Sequence, residues 1–175
     1  MKANITIMPG DGVGPEITRE AVKVLQAVET IFDHDFSLEE VLFGGIAIDE
    51  TGSPYPEETQ RSCKSSDAVL LGSVGGPKWS DPNMKVRPEK EGLLAMRADL
   101  GIYANIRPIK TYPQLIENSP IKNRYLDNID MVFVRELTGG IYFGKKEKTE
   151  SSASDICEYS KAEIERITRV AANIA

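Results

Sequence analysis

Three arginines in otherwise apolar segments are the residues of this sequence most able to do chemistry. Arg97 follows the run GLLAM, Arg107 lies in NIRP, and Arg135 lies in MVFVREL. For any one of them, a structural ion pair is the favoured interpretation, because a buried guanidinium is costly without a partner. Three that converge would suit a substrate with two carboxylates, since each planar guanidinium binds a carboxylate bidentately. The spacing does not show whether they converge.

Three aromatic or imidazole side chains have both a chemical and a structural interpretation. Tyr142, seven residues after Arg135, is either a proton donor or an aromatic residue at a strand edge. For Trp79, the only tryptophan, packing is a better interpretation than ligand binding. His34, the only histidine, lies among acids and is best interpreted as a solvated surface residue. This histidine makes no credible Ser-His-Asp arrangement, and no Cys and His residues have zinc spacing.

The segment MPGDGVGPEIT, residues 8–18, invites comparison with a dinucleotide-binding loop. Its glycines are spaced G-x-G-x-G, whereas the Rossmann fingerprint is G-x-G-x-x-G, and Pro15 directly follows the third glycine. About 20 residues past the third glycine, only Asp35 could serve as the ribose-binding acid. The segment is better interpreted as a tight turn from a strand into a helix, in which glycine permits positive φ.

Composition excludes several classes of protein. The net charge of −6 and the scattered basic residues argue against a nucleic-acid binder. No apolar run approaches the roughly 20 residues that span a bilayer, and the N-terminus lacks a signal-peptide apolar region. Cys63 and Cys157 are too few for a disulfide framework and fit a reducing compartment. We therefore expect a cytoplasmic globular protein without nucleic-acid or membrane partners.

Hydrophobic periodicity predicts alternating strands and helices. This alternation predicts an α/β fold with a largely parallel sheet, and the apolar run 67–74 predicts a strand buried on both faces. A polar connection, 75–91, is longer than most loops in a compact domain, which is typical of a functional or disordered segment. The predicted strands are 4–8, 36–43, 67–74, 103–110 and 129–137, and the predicted helices are 15–32, 56–66, 92–100 and 160–175.

The C-terminal segment predicts a helix that starts with a capping box, Ser160 to Glu163. Its apolar stripe runs to Ala175 without a glycine or another stop signal, so we expect the chain to be truncated. The serine-rich stretch 147–154 predicts either a protruding arm or a disordered polar loop.

Six motifs in one order resemble the isocitrate/isopropylmalate dehydrogenase family, and within it the 3-isopropylmalate dehydrogenases. They are GDGVGPEIT, LLGSVGGPKW, RPEKEGLLAMR, YANIRP, VRELTGGIYFG and EIERITRVA. They cover essentially the whole chain, which resembles only about the first half of a family member. The resemblance implies a two-domain α/β fold, truncated here and distinct from the classical Rossmann fold. Residues 1–102 would begin the first, NAD-side domain, and residues 103–175 the second domain, which carries the substrate and dimer sides.

The resemblance implies NAD-dependent oxidative decarboxylation of 3-isopropylmalate to 2-oxoisocaproate, a reaction of leucine biosynthesis that uses Mg or Mn. It implies a cytoplasmic homodimer, of which this chain would be an incomplete and inactive half. The nearest alternative is a sister enzyme acting on isocitrate, homoisocitrate or tartrate. Leu93 and Leu94 argue against it, because these substrates are polar where isopropylmalate is apolar. An alternative of another class is a non-catalytic module that binds carboxylates or a protein partner.

The resemblance also implies roles for individual residues. Arg97, Arg107 and Arg135 would hold the malate carboxylates, Tyr142 would transfer a proton, and Leu93 and Leu94 would face the isopropyl group. The metal-binding aspartates, a catalytic lysine and the adenine-binding loop would lie beyond Ala175, so no metal ligand is expected in this chain. The residues expected near NAD are Val13, Gly75, Gly76, Pro77, Lys78, Trp79 and Glu89.

One departure from the family concerns the end of the NAD-side loop. Family members commonly have one residue between the glutamate of RPE and Gly-Leu-Leu, whereas both Lys90 and Glu91 intervene here. The sequence therefore leaves open whether Glu89 or Glu91 meets the ribose.

Overall fold

The computed structural model describes residues 1–81 and 84–175, so Pro82 and Asn83 of the predicted 75–91 connection lie outside the described residues. The chain divides into two units, Met1–Leu100 and Gly101–Ala175. The elements of the first unit are β1 (Lys2–Gly10), α1 (Gly14–Phe32), β2 (Asp35–Glu40), α2 (Gly45–Thr51), α3 (Glu57–Ser65), β3 (Ala68–Ser73), a 3-10 turn (Pro77–Trp79), a π-helical turn (Pro88–Leu94) and α4 (Ala95–Asp99).

The sheet of the first unit is parallel, as the sequence predicted. Its order is β2-β1-β3, with Ile7 opposite both Glu40 of β2 and Leu70 of β3. Because β1 is central, its residues Ile5 to Met8 are buried. The prediction that 67–74 is buried on both faces is wrong. Among the described residues β3 pairs with β1 alone, so its residues are half-buried or exposed.

The core of the first unit lies where β1 meets the helices that follow β2. Its buried members are Met8, Phe43, Tyr55, Cys63 and Met96. The rings of Phe43 and Tyr55 meet edge to face, with centroids 5.7 Å apart. Burial raises the pKa of the Cys63 thiol, whose Sγ lies 3.8 Å from the sulfur of Met8, so this cysteine is a core residue.

The second unit is built on an antiparallel pair of strands. Strand β4 (Ala104–Lys110) pairs with β5 (Asp130–Glu136), and Asn105 lies opposite Arg135. The segment 147–154, predicted as an arm or loop, overlaps two short paired strands, β6 (Lys146–Lys148) and β7 (Ala153–Asp155). Short 3-10 turns, which the sequence analysis did not predict, occupy Pro113–Asn118, Asn123–Tyr125 and Gly140–Tyr142.

Helix α5 (Lys161–Ile174) begins at the predicted capping box, in which Ser160 accepts a hydrogen bond from the Glu163 amide and the Glu163 side chain accepts from the Ser160 amide. The helix is joined to β5 by an ion pair between Arg166 and Glu136. The two N–H···O distances are 2.7 and 3.1 Å, and Arg166 also donates to the Thr138 hydroxyl at 2.6 Å. The guanidinium lies over the Tyr103 ring, so one side chain connects α5 to the start of β4 and to the end of β5, which lie side by side.

Candidate active site

A buried carboxylate follows the central strand of the first unit. Asp11, 2% exposed, accepts three backbone hydrogen bonds. Its Oδ2 atom accepts from the amides of Gly45, at 2.7 Å, and Gly75, at 2.8 Å, while Oδ1 accepts from Ile46 at 2.8 Å. The sequence analysis missed this residue, although an acid between two glycines at a strand end was the available signal. Asp11 thus links the turn after β1, by hydrogen bonds, to the start of α2 and to the segment that follows β3.

The GGPKW segment, residues 75–79, lies against α2. Gly75 has a φ of +92°, which favours glycine. The Trp79 ring covers Gly45 so closely that a Cβ atom there would overlap it. Asp49 of α2 accepts hydrogen bonds from Lys78 Nζ at 2.6 Å and from Trp79 Nε1 at 3.3 Å. The hydrogen bond from Lys78 holds the pKa of the Asp49 carboxyl below its usual range.

We expect Gly45→Ala to displace Trp79 from α2. Gly45 does not have a positive φ, so alanine fits the backbone there and its methyl group acts only on the ring. Because Trp79 is the only tryptophan, the emission of the chain reports the environment of this one side chain. The variant should show red-shifted emission and stronger acrylamide quenching below its melting temperature. Glu50→Ala, an exposed substitution in the same helix, should leave both unchanged. Unchanged emission in Gly45→Ala would contradict the contact.

The π-helical turn Pro88–Leu94 contains both glutamates that the sequence left open. The Glu91 carboxylate accepts a hydrogen bond from the Arg87 amide at 2.8 Å and lies 3.6 Å from Lys90 Nζ. Both of these partners of Glu91 therefore belong to the turn itself or to the residue before it. Glu89 points the other way and lies against Gly75, where a Cβ atom would overlap its Oε1. A π-helical turn holds one more residue than an α-helical one, and such turns are frequent at functional sites. Glu89 is therefore the glutamate that borders the GGPKW segment.

The other expected residues of the first unit differ in exposure. Val13 immediately precedes α1 and is exposed, and Arg97 on α4 is half-buried. Leu94 is half-buried at the end of the π-helical turn. Leu93 packs against the core cluster, so part of its surface is already covered within this unit.

Two of the three expected arginines share one face of the second unit. Asn105 and Arg107 are two residues apart on β4, so their side chains point to the same side of the pair. Arg135 lies opposite Asn105 and joins them there. The Arg107 Nε–H donates to Asn105 Oδ1 at 2.7 Å, which fixes the plane of the guanidinium. The sequence analysis missed Asn105, whose position in YANIRP was the only signal.

Tyr142 lies next to this arginine face. It ends the 3-10 turn Gly140–Tyr142 after β5, and the guanidinium carbon of Arg135 is 5.4 Å from the centre of its ring. The turn requires glycine at its first position, because Gly140 has a φ of +71° and packs against Tyr159. Tyr142 is half-exposed. The second unit thus brings together two cations, one amide and one phenol.

Two kinds of feature are absent from the part of the chain that the structure describes. Within residues 1–81 and 84–175, no group of three or more His, Cys, Asp or Glu side chains could hold a metal ion. In the same residues, no helix has the length and apolar character needed to cross a membrane.

Comparison with known proteins gives one consistent result. The model of the isocitrate/isopropylmalate dehydrogenase family matches residues 4–175. The chain is 54% identical to the 3-isopropylmalate dehydrogenase of Bacillus caldotenax, over 98% of this chain and 48% of that protein. It is 49% identical to the one from Bacillus subtilis, over 97% of this chain and 48% of that protein.

Solved structures agree with these sequence matches. A β-decarboxylating dehydrogenase from Thermococcus kodakarensis is 31% identical, with a TM-score of 0.67 over 95% of this chain and 43% of that one. The isocitrate dehydrogenase of Methylococcus capsulatus is 27% identical, with a TM-score of 0.69 over 95% of this chain and 45% of that one. The chain spans about half the length of the curated relatives it matches. Because the family model matches residues 4–175, the chain belongs to the isocitrate/isopropylmalate dehydrogenase family.

Proposed function

We propose that this chain supplies the first half of an NAD-dependent enzyme that oxidatively decarboxylates 3-isopropylmalate to 2-oxoisocaproate, a step of leucine biosynthesis. The observation that carries the proposal is the shared face of Arg107 and Arg135 beside Tyr142. The relatives named 3-isopropylmalate dehydrogenase support this substrate over isocitrate, homoisocitrate or tartrate. Activity requires residues equivalent to the other half of these relatives.

The arginine face would bind the substrate through its carboxylates. A dianionic malate is best held by planar guanidinium groups, which donate two parallel hydrogen bonds to each carboxylate. Because Nε of Arg107 is engaged by Asn105, the terminal nitrogens of that side chain remain for the substrate. We assign Arg97 as a third cation, and Leu93 and Leu94 as the apolar contacts of the isopropyl group. Apolar contacts of this size discriminate by about 1–3 kcal/mol.

Tyr142 would transfer the proton that the reaction requires. Loss of carbon dioxide leaves an enolate that must be protonated on carbon, and a phenol at the binding face is a suitable donor. Arg135 lies over the Tyr142 ring and so orients it beside the carboxylate-binding group. We expect Tyr142→Phe, which keeps the ring and the cation–π contact, to lower kcat about 100-fold with little change in KM. An unchanged kcat would contradict the assignment.

The first unit offers groups that fit the nicotinamide half of NAD. The Glu89 carboxylate is an acceptor suited to ribose hydroxyls, and it lies against Gly75, where the missing side chain allows close approach. Val13 and the segment from Gly75 through Gly76, Pro77 and Lys78 to Trp79 would border the ring. When bound, NAD would supply the hydride acceptor, and these residues would orient it and exclude water.

We expect Glu89→Gln to raise the KM for NAD about tenfold, because hydrogen bonds to a carboxylate are worth roughly 1.5–3 kcal/mol and an amide replaces only part of this. Glu91→Gln is the matched control, since Glu91 is already engaged by the Arg87 amide. It should change the KM for NAD less than twofold. The reverse order of the two effects would assign the ribose contact to Glu91.

Among the described residues, no group of three or more His, Cys, Asp or Glu side chains could hold Mg or Mn. We propose that the metal-binding groups belong to the rest of the enzyme. We further propose that the complete enzyme is a cytoplasmic homodimer, to which the polar β6–β7 arm would contribute.

The test is a hybrid enzyme in which this chain continues from Ala175 into the unmatched part of the Bacillus caldotenax relative, 48% of which matches this chain at 54% identity. We expect NADH formation from 3-isopropylmalate with NAD and Mn, at a higher kcat/KM than from isocitrate, and no turnover by the 175-residue chain alone. A preference for isocitrate would favour the sister activity. A hybrid that folds and binds malates but turns over none would favour a carboxylate-binding module.

A further inference from the structure

We propose that Asp11 is a positioning residue that sets the conformation of the GGPKW segment, residues 75–79, by holding Gly75 and the start of α2 on one carboxylate. The inference rests on the proposed function only for the identity of the segment as the NAD-side loop. Asp11 itself touches no reacting group.

The bonding of Asp11 is what sets it apart from the other acids of the first unit. It is 2% exposed, and among the described residues it forms no salt bridge. Its negative charge is instead balanced by three backbone amides at 2.7–2.8 Å. A buried charge held only by amides fixes those amides closely, since each would be left without a partner if the carboxylate moved.

Those amides belong to chain segments that are far apart in sequence. Gly45 and Ile46 begin α2, whereas Gly75 begins the GGPKW segment. Gly44 makes room for the carboxylate, because a Cβ atom there would lie 2.5 Å from Asp11 Oδ2. Its φ of +85° also favours glycine. The local sequence thus accommodates one acid where the turn after β1, the start of α2 and the segment after β3 meet.

The carboxylate contacts one end of the GGPKW segment directly and the other end through Gly45. It binds Gly75 at the first end directly. At the other end, Trp79 lies on Gly45, whose amide donates to the same Oδ2 atom. Asp49 then fixes Lys78 and the Trp79 indole to the same short helix. Loss of the Asp11 carboxylate therefore releases Gly75 and loosens the surface on which Trp79 packs.

The experiment uses the 175-residue chain and two substitutions, Asp11→Asn and Asp11→Ala. Asparagine accepts on one side only, so it must abandon either the Ile46 amide or the Gly45 and Gly75 amides, and alanine abandons all three. Hydrogen exchange measured by NMR reports these amides one by one, and Trp79 emission reports the far end of the segment. The control is Asp67→Asn, which weakens a 2.8 Å carboxylate–amide bond to Asn4 at the opposite end of β3.

We expect Asp11→Ala to speed exchange of the Gly75 amide about tenfold or more and to shift the Trp79 emission to the red, below its melting temperature. Asp11→Asn should speed exchange at one side of the carboxylate only, and Asp67→Asn should change neither signal. If Asp11→Ala does not fold, Asp11→Asn decides. The proposal is overturned if all three amides keep their protection in Asp11→Asn, or if a folded Asp11→Ala keeps the wild-type emission.

The positioning role and the proposed function fail separately. In the hybrid enzyme, Asp11→Asn should raise the KM for NAD more than it lowers kcat, and a fall in kcat alone would overturn the link between Asp11 and the cofactor loop. Failure of the unsubstituted hybrid to reduce NAD would overturn the proposed function alone, because exchange and emission are measured without a cofactor.

Discussion

Replacing Arg135 by methionine in the hybrid enzyme is expected to lower kcat/KM for 3-isopropylmalate by about 100-fold or more. A bidentate guanidinium–carboxylate contact contributes charge-assisted hydrogen bonds of roughly 1.5–3 kcal/mol each, and about 2.7 kcal/mol corresponds to a 100-fold change. The same substitution removes the cation above the Tyr142 ring, so kcat should fall together with substrate affinity. Steady-state kinetics with varied 3-isopropylmalate separates the two effects.

The second unit supplies a matched control for this substitution. Arg124 lies over the Tyr125 ring at 4.7 Å, a similar cation–π contact on an exposed turn between β4 and β5. Arg124→Met should leave kcat/KM within about twofold, because exposed contacts of this kind are worth less than 1 kcal/mol. Arg135→Lys keeps the charge but loses the planar fork, and it should remain well below wild type. An active Arg135→Met variant would remove Arg135 from the proposed site.

The secondary structure could be predicted where the hydrophobic periodicity agrees with the residues that start or end an element. The strand, glycine turn and helix at the N-terminus follow from a short β-prone run and from Pro15 and Glu16 in the first helical turn. Helix α5 follows from its capping box and its apolar spacing. Helix α2 was missed because seven residues, GIAIDET, give too short a window for a helical period.

The burial of β3 could not be predicted from its own sequence. An apolar run indicates what a strand is suited to contact, but burial depends on which elements cover it. The described residues supply β3 with one neighbouring strand, and its side chains are correspondingly half-buried. The same limit applies to Leu93, which packs partly against the core although its motif suggested a substrate contact.

The candidate site was predictable in its charged residues and not in those that position them. Arg107 and Arg135 were noticeable because a cation in an apolar strand is unusual. Asp11 was missed because its partners are backbone amides more than 30 residues away, which only the fold brings to it. Asn105 was missed although its partner Arg107 lies only two residues along the same strand, because an asparagine next to a cation is not unusual by itself. The choice between Glu89 and Glu91 likewise needed the π-helical turn, which periodicity does not reveal.

The second large effect concerns the ion pair between Glu136 and Arg166. We expect Arg166→Met to destabilise the second unit by about 2 kcal/mol at neutral pH. Removing one partner of a buried pair usually costs 3–5 kcal/mol, and a lower value applies here because the Arg166 side chain is 36% exposed while that of Glu136 is 6% exposed. Hydrogen exchange of the β4–β5 amides measures the change directly. Lys161→Met, which breaks the exposed Lys161–Glu165 pair, should change it by less than about 0.5 kcal/mol.

The loss of stability caused by Arg166→Met should depend on pH, whereas a simple loss of packing would not. Burial raises the pKa of Glu136, but hydrogen bonds from Arg166 and Thr138 outweigh it and leave the pKa below its usual 4.5. The stabilisation is therefore full above pH 4.5 and is lost as the pH falls through the folded pKa. In Arg166→Met the hydrogen bond from the cation is lost while those from Thr138 remain, so the pKa of Glu136 should rise relative to the wild-type chain. The substitution should therefore cost less stability near pH 4 than near pH 7. Equal losses at both values would mean that Arg166 stabilises the unit through its contact with the Tyr103 ring rather than through its ion pair with Glu136.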